Sequence, residues 1–310
     1  MSNTPKSVYC YGMVAPSTLH LLSTPYPVAN AYAEIRASVP NLAGEAVAGA
    51  WTLQRLGIQT KLDGRWLADS QQSSEFIQRL SETGIDATRL EIKPNYHPIE
   101  EMVLADGKTR TVFGGYIKIL FTEKQWNPPQ EGDIASTDLV LLDPFLGAES
   151  ELCADYCIQH AKPYLTIDHA PESKIARNAH ATLISEEFLL REYKTVHDSG
   201  QGWEEIFLTY LDSCPGWVIF TFGGEPLWYA PPRTSAIETR AKRTFQPYPV
   251  KVVDTTGAGD SFRAGFAYAL LQGKQGEEAI QTACAVAGLV CTKFPGVLQS
   301  PTEAELSAFF

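Results

Sequence analysis

No two cysteines of this 310-residue chain form a CxxC pair, and its six histidines show no metal-ligating spacing. The thiols stand at Cys10, Cys153, Cys157, Cys214, Cys284 and Cys291. Cys153 and Cys157 lie one helical turn apart, which reads as one helix face rather than a zinc site. Reduced thiols are the simplest reading. No apolar run reaches the roughly 18 residues of a membrane-spanning helix, and the first residues, MSNTPKSVYCYGMVAP, hold no long apolar segment. Basic charge is in deficit. There are 25 Lys and Arg against 36 Asp and Glu, a formal net charge of −11, and no basic stripe stands out. Nucleic acid is therefore not expected as a partner. An acidic chain still binds phosphorylated ligands where local amides and cations set the field. Internal repeats, low-complexity tracts and clear linkers are missing as well. With 44% hydrophobic and 20% charged residues, the chain describes an ordinary globular protein, expected to be soluble and cytoplasmic.

What is present concentrates in residues 252–273, VVDTTGAGDSFRAGFAYALLQG. Val252 and Val253 read as the end of a buried strand. Thr255 to Asp260 supply a tight turn with two glycines. Phe262, Phe266, Ala269 and Leu270 then recur at helical spacing, and Gly273 reads as the stop. A strand, a glycine-rich turn and a helix start direct several backbone N–H groups to one point, at the positive end of the helix dipole. Such a point is a seat for phosphate. Asp260 stands inside it. A carboxylate among those amides repels phosphate, so it has a task of its own. Taking the proton from a hydroxyl that attacks the phosphate fits. The competing reading is a plain structural turn, common in α/β proteins.

The remaining chain alternates between strands and helices. Strands are expected over Val8–Val14, Ile58–Leu62, Leu139–Asp143, Tyr164–Asp168 and Trp217–Phe222. Helices are expected over Gly44–Leu56, Ser70–Thr83, Glu149–His160, Gln201–Ser213 and Gly276–Thr292, with a short one in Pro301–Phe310. The pattern predicts one open parallel sheet with helices on both faces, and ligands beyond the carboxyl ends of its strands. Leu19–Asn30, rich in Pro, Ser and Thr, reads as loop. Ala29–Ser38 and His97–Tyr116 break the alternation. Both are strand-like, the second with Asp106-Gly107 as a hairpin turn, and both suit a small covering sheet, with edge strands of the main sheet as the competing reading.

DTTGAGDSFRAGF resembles the C-terminal signature of the ribokinase-like (PfkB) family of small-molecule kinases. The likeness extends along the chain. AGEAVAGAWTLQRLG at 43–57 is similar to the family's GGxxxNxAxxxAxLG pattern. DGKTRTVFGGY at 106–116 resembles the lid hairpin. VIFTFGGEPLWY at 218–229 and ACAVAGLVCTKFPGV at 283–297 resemble segments beside the nucleotide. The resemblance implies one α/β domain over 1–310, a three-layer αβα sandwich with a mostly parallel central sheet. It also implies a β-sheet lid drawn from 28–38 and 96–119, through which a homodimer can form. It implies Asp260 as catalytic base and the amides of Gly257, Ala258, Gly259 and Asp260 as anion hole. Thr221, Gly223, Gly224, Thr256, Cys284 and Ala287 would lie by the nucleotide. ATP and Mg²⁺ are the implied cofactors, and Asp254 lies where some relatives hold a monovalent cation such as K⁺.

The departures from the pattern concern the acceptor and the metal. Ala43, Gly44 and Ala48 replace two glycines and an Asn. Ala15 and Ser17 replace an Asn and an Asp, so several hydroxyl-binding side chains are missing. Ser17, Gly44 and Ala48 remain the acceptor positions. Asn41, Glu45, Asp63 and Arg65 lie nearby, either as substitutes or in surface and capping roles. Arg263, one turn past Asp260, either meets an anionic acceptor or pairs at the surface. The family's NxxE, which organises magnesium, reads Ser185, Glu186, Glu187, Phe188. Glu186 or Glu187 serve the metal from a shifted position, or are first-turn acids after a Ser cap. The leading function is ATP-dependent phosphorylation of a hydroxyl on a small sugar or polyol. A nucleoside kinase and a non-catalytic nucleotide- or ligand-binding module on the same fold are the alternatives. A nicotinamide dehydrogenase is disfavoured, because Gly12-Met13-Val14-Ala15 does not begin a GxGxxG turn.

Overall fold

The computed structural model of the protein describes residues 5–96, 98–116, 124–195, 202–233 and 240–310. In chain order the strands are β1 (Ser7–Gly12), β2 (Ala15–Leu22), β3 (Ile35–Ala43), β4 (Gln59–Gly64), β5 (Leu67–Ala68), β6 (Ile92–Lys93), β7 (Glu101–Ala105), β8 (Arg110–Gly114), β9 (Leu139–Leu142), β10 (Tyr164–Ile167), β11 (Ala181–Ser185), β12 (Trp217–Phe222), β13 (Glu225–Ala230) and β14 (Arg243–Phe245). The helices are α1 (Glu45–Arg55), α2 (Gln71–Thr83), α3 (Glu131–Ser136), α4 (Ala148–Gln159), α5 (Lys174–Asn178), α6 (Glu186–Glu192), α7 (Gly202–Ser213), α8 (Ala258–Leu271), α9 (Gly276–Cys291) and α10 (Glu303–Ser307).

Eight of the described strands form one sheet in the order β14-β13-β12-β11-β10-β9-β1-β4. The six from β12 to β4 are parallel, and β13 and β14 close one edge antiparallel. The central strands are largely apolar because both faces are covered. Alternation then sorts their side chains between two cores. Val8, Cys10, Leu139 and Leu141 pack beneath α1, α8 and α9. Tyr9, Tyr11, Val140 and Leu142 face the opposite way, toward Cys153 and Cys157 of α4. Further along that sheet Phe220 meets Phe207 of α7 edge-on, ring centres 4.9 Å apart. Three layers result.

Sheet order reverses between β1 and β9. The chain leaves β1 for β4 on one side and returns with β9 on the other. A crevice opens at the carboxyl ends of strands where such a reversal occurs. Over it stands a second sheet, of order β3-β2-β7-β8, with a small core of Leu19, Val103 and Ala105.

This second sheet corrects the sequence reading. Leu19 to Leu22, expected as loop, belong to strand β2, which pairs antiparallel with β3 and parallel with β7. The Ser, Thr and Pro of the expected loop begin only at Ser23, and partners on both sides hold the preceding Leu-His-Leu-Leu in the strand. The strand placed at 28–38 runs instead from Ile35 to Ala43. It includes Pro40, which an edge strand tolerates. The hairpin expected within 96–119 is β7 and β8, turning at Asp106-Gly107. His97, residues 117–119 and Gln201 lie outside the described residues. Nor does Val252-Val253 end a strand. Val252 is exposed, and the Val253 and Asp254 amides both donate to the Cys291 carbonyl of α9. Elsewhere the expected elements are found with ends shifted by a residue or two. Ser70 and Gly84 cap α2. No helix among the described residues is long and apolar enough to cross a membrane.

Helix α8 is buried without interruption from Ser261 to Ala269. Its small residues permit close contact with α9. A Cβ on Gly265 would lie 2.8 Å from Val286 Cβ and 3.0 Å from Ala283 Cα. Overpacking of this kind costs about 1–3 kcal/mol. Gly265→Val is expected to lower unfolding stability by that amount in chemical denaturation, and an unchanged midpoint would contradict the packing described.

Candidate active site

A cavity of about 440 Å³ lies in the crevice. Ile167, Asp168, Ser185 and Thr221 reach it from the main sheet, and Gly44, Glu45 and Ala48 from α1. Thr256, Gly257, Gly259 and Asp260 form its floor. Val103, Arg110 and Val112 reach it from the second sheet.

The floor is a turn held by a buried carboxylate. Asp254 accepts from the Thr256 amide at 2.9 Å and from the Gly296 amide at 3.1 Å. Gly257 is left-handed, φ 71°, where a side chain would be strained and would strike Val297. No side chain caps the start of α8. Gly259 and Asp260 therefore line the cavity within an uncapped first turn, whose N–H groups seek an outside acceptor. Ala258 differs from the expected anion hole. Its amide is committed to the Thr255 carbonyl at 3.2 Å, and it does not line the cavity.

Asp260 is half-buried at the floor, with its affinity for the proton raised to about 6. Burial is the main cause. Arg263 opposes the rise and Asp143 adds to it. Arg263 does not reach the acceptor space, and it does not point to solvent. It is fully buried, donating from Nη1 to Asp143 Oδ1 at 2.8 Å and from Nη2 to the Glu45 carbonyl at 2.9 Å. Asp143 Oδ2 in turn accepts from the Met13 amide at 3.0 Å. Gly12 makes room for it, since a Cβ there would stand 2.0 Å from Asp143 Oδ2. Glu45 faces the cavity, and its carboxyl is pushed well up by burial and then by Asp143 and Asp260.

The opposite wall carries a second set of charges. Asp168 adopts a positive φ of 43° and accepts from the Ser185 amide at 2.8 Å and its hydroxyl at 2.9 Å. Burial raises its pKa in spite of these bonds. Ser185 caps α6 by accepting from the Phe188 amide. Phe188, at the Glu position of NxxE, is packed in the core. Glu187 lines the cavity and pairs with Arg110 across it at 3.4 Å. Glu186 is exposed, off the cavity and in the first turn of α6.

Of the remaining expected residues, Ser17 is buried on β2 with its hydroxyl unpartnered among the described residues, and it does not line the cavity. Asn41, Asp63 and Arg65 are buried elsewhere, while Glu45 is the one of that group on the cavity wall. Cys284 packs in the core and Ala287 against it, both off the cavity. Gly223 and Gly224 form the exposed β12–β13 turn. Asp143, Asp168, Arg110, Arg191 and Tyr116 were not foreseen as site residues. For Arg110 and Val112 the signal was period-two spacing within the hairpin, which puts both on one face.

Comparisons with known proteins agree with this fold. The chain is 27% identical over 272 residues to the ribokinase of Bacillus subtilis, covering 85% of this chain and 84% of that one. A putative ribokinase from Agrobacterium tumefaciens shares the fold with a TM-score of 0.81 at 23% identity, covering 98% and 97% of the two chains. The Burkholderia thailandensis nucleoside kinase, solved with inosine, has a TM-score of 0.71 at 17% identity, with coverage of 98% and 97%. The sequence model of the pfkB family of carbohydrate kinases matches residues 32–303, and the chain belongs to that family.

Proposed function

We propose that this kinase transfers the γ-phosphoryl group of ATP to a hydroxyl of a small sugar or polyol, with Asp260 as general base. The observation that carries the reading is the position of Asp260. Its carboxylate shares the cavity floor with the first-turn amides of α8, so proton acceptor and phosphate seat adjoin. The acceptor would lie between Asp260 and Gly44, beneath the second sheet, which serves as lid to a single domain. Gly257 and Gly259 would cradle the phosphate. Thr221 would stand on its path. The lid excludes water, which otherwise competes with the acceptor.

Magnesium keeps several waters and asks for one or two carboxylates beside substrate phosphates. Asp168 and Glu187 line the cavity and fit that demand. They would hold it, and when bound it supplies positive charge to the phosphate oxygens. Asp254 spends one lone pair of each oxygen on the turn. Lone pairs remain for a monovalent cation beside it.

A nucleoside acceptor is the second reading. Met13, Leu42, Val103, Val112 and Phe145 make the acceptor walls apolar, which suits a flat base better than a ring of hydroxyls. A thermal-shift screen of sugars, polyols and nucleosides with a non-hydrolysable ATP analogue and Mg²⁺ separates the two. Shifts confined to nucleosides would reverse the order of preference.

Asp260→Asn is expected to lower kcat about 10²- to 10⁴-fold while leaving the affinity for the ATP analogue nearly unchanged. Turnover equal to wild type would remove Asp260 as base. A base works ionised. With its pKa raised to about 6, kcat/KM is expected to fall as pH drops through that value and to level off above it. A rate flat from pH 5 to 8, measured at saturating ATP, would contradict the assignment.

A further inference from the structure

Among the described residues two arginines line the cavity, Arg110 and Arg191. They are held differently. Arg191 belongs to α6, lies over the Phe188 ring with 5.4 Å to its centre, and pairs with neighbouring Glu192 at 2.8 Å. Its positive charge acts on Asp168. Arg110 belongs to β8 of the second sheet and reaches across the cavity to Glu187 on the main body. Its positive charge acts on Asp260, lowering that group's proton affinity.

The Arg110–Glu187 contact is a poor resting place. At 3.4 Å, with the two side chains 36% and 71% exposed, it is a single loose contact in water's reach. Exposed pairs of this kind hold their partners weakly. A phosphoryl group offers the guanidinium fork a better partner, with more charge and paired oxygens. The reaction also requires such a charge. Phosphoryl transfer is promoted mainly by cations placed on the equatorial oxygens. Here Ala258 withdraws its amide from the seat, and Phe188 occupies the position where the family pattern has a glutamate.

Resting on the kinase reading above, we propose that Arg110 is a catalytic residue: it leaves Glu187 and bonds the oxygens of the phosphoryl group while that group passes to the acceptor hydroxyl at Asp260. The acceptor oxygen bonds the γ-phosphorus as its proton moves to the Asp260 carboxylate. The bond from that phosphorus to the β,γ-bridging oxygen breaks, and its electron pair leaves on the diphosphate. Arg110 neutralises the equatorial oxygens throughout. Because it rides on the lid, the charge arrives only when the second sheet stands over the cavity. Cleavage of ATP is thereby tied to closure. Release of Glu187 also frees a carboxylate on the wall where the donor phosphates and their metal would lie.

The test compares Arg110→Met, Arg110→Lys and Arg110→Ala with the wild-type chain. Affinity for AMP-PNP with Mg²⁺ is read by calorimetry. Release of ADP from ATP is read with water and with a panel of polyols and nucleosides as acceptors. Arg110→Met is expected to bind AMP-PNP within about threefold of wild type and to lose about a hundredfold or more in kcat. Arg110→Lys, which keeps the charge without the fork, should fall between. Free guanidinium should restore part of the rate of Arg110→Ala and none of that of Asp260→Asn. Full turnover by Arg110→Met overturns the proposal. So does a loss matched by equal loss of AMP-PNP affinity and indifferent to guanidinium, which marks a structural role. A wild-type chain that releases no ADP under any condition overturns the kinase reading itself, and Arg110 falls with it.

Discussion

The site depends on one buried ion pair. Arg263 and Asp143 are both fully sealed from solvent, and their contact is an ion pair between the helix of Asp260 and the end of β9. Arg263 rises from the helix that carries Asp260. Asp143 follows β9, holds the amide just after β1, and lies against the bare Gly12. The second arm of Arg263 grips the start of α1. Asp260, the cavity floor and the sheet's point of reversal are thus fastened at one node. Removing one partner of a buried pair strands the other, at a cost of about 3–5 kcal/mol. A pair of well-packed apolar residues would serve stability as well or better. It would not set the field at Asp260.

That field is a balance. Burial favours the protonated acid, Asp143 and Asp168 add to it, and Arg263 and Arg110 oppose it. The outcome, about 6, leaves the group ionised near neutral pH yet basic enough to receive a proton from a hydroxyl. An isolated aspartate would be a weaker base. Folding makes this group less acidic, so its ionisation works against the folded state as pH rises from about 4 toward that value. Strain adds to the charge in the same place. Asp168, a non-glycine residue at positive φ, stands on the cavity wall, where a conformation costing about 1–3 kcal/mol is tolerated in return for a directed carboxylate.

Much of this was legible before the fold. The central strands were short apolar runs, and such runs survive as strands because burial on both faces demands them. The glycine-rich turn and Asp260 were legible for a local reason, since the helix start and the turn lie within a few residues of each other. The second sheet was harder. Its strand β2 looks like loop until β3 and β7 lie beside it, and its edge strand holds a proline. A side chain on such a sheet has no assignable face until the register is known. Arg110 was therefore visible as a residue but not as a neighbour of Glu187.

The sequence by itself determined the layered architecture and the glycine-rich turn that leads through Asp260 into a helix, because periodicity, turn chemistry and helix dipoles act over a few residues. Only the tertiary structure decided what surrounds that carboxylate. Asp143 lies 120 residues from Arg263, and Arg110 lies 77 from Glu187. Electrostatic partners at such separations are chosen by how strands cross, and no local pattern along the chain encodes the choice. The fate of Ser17 has the same origin. A place at the acceptor was expected of it from the pattern along the chain, whereas it lies buried on β2, paired with Asn41 of β3 and off the cavity.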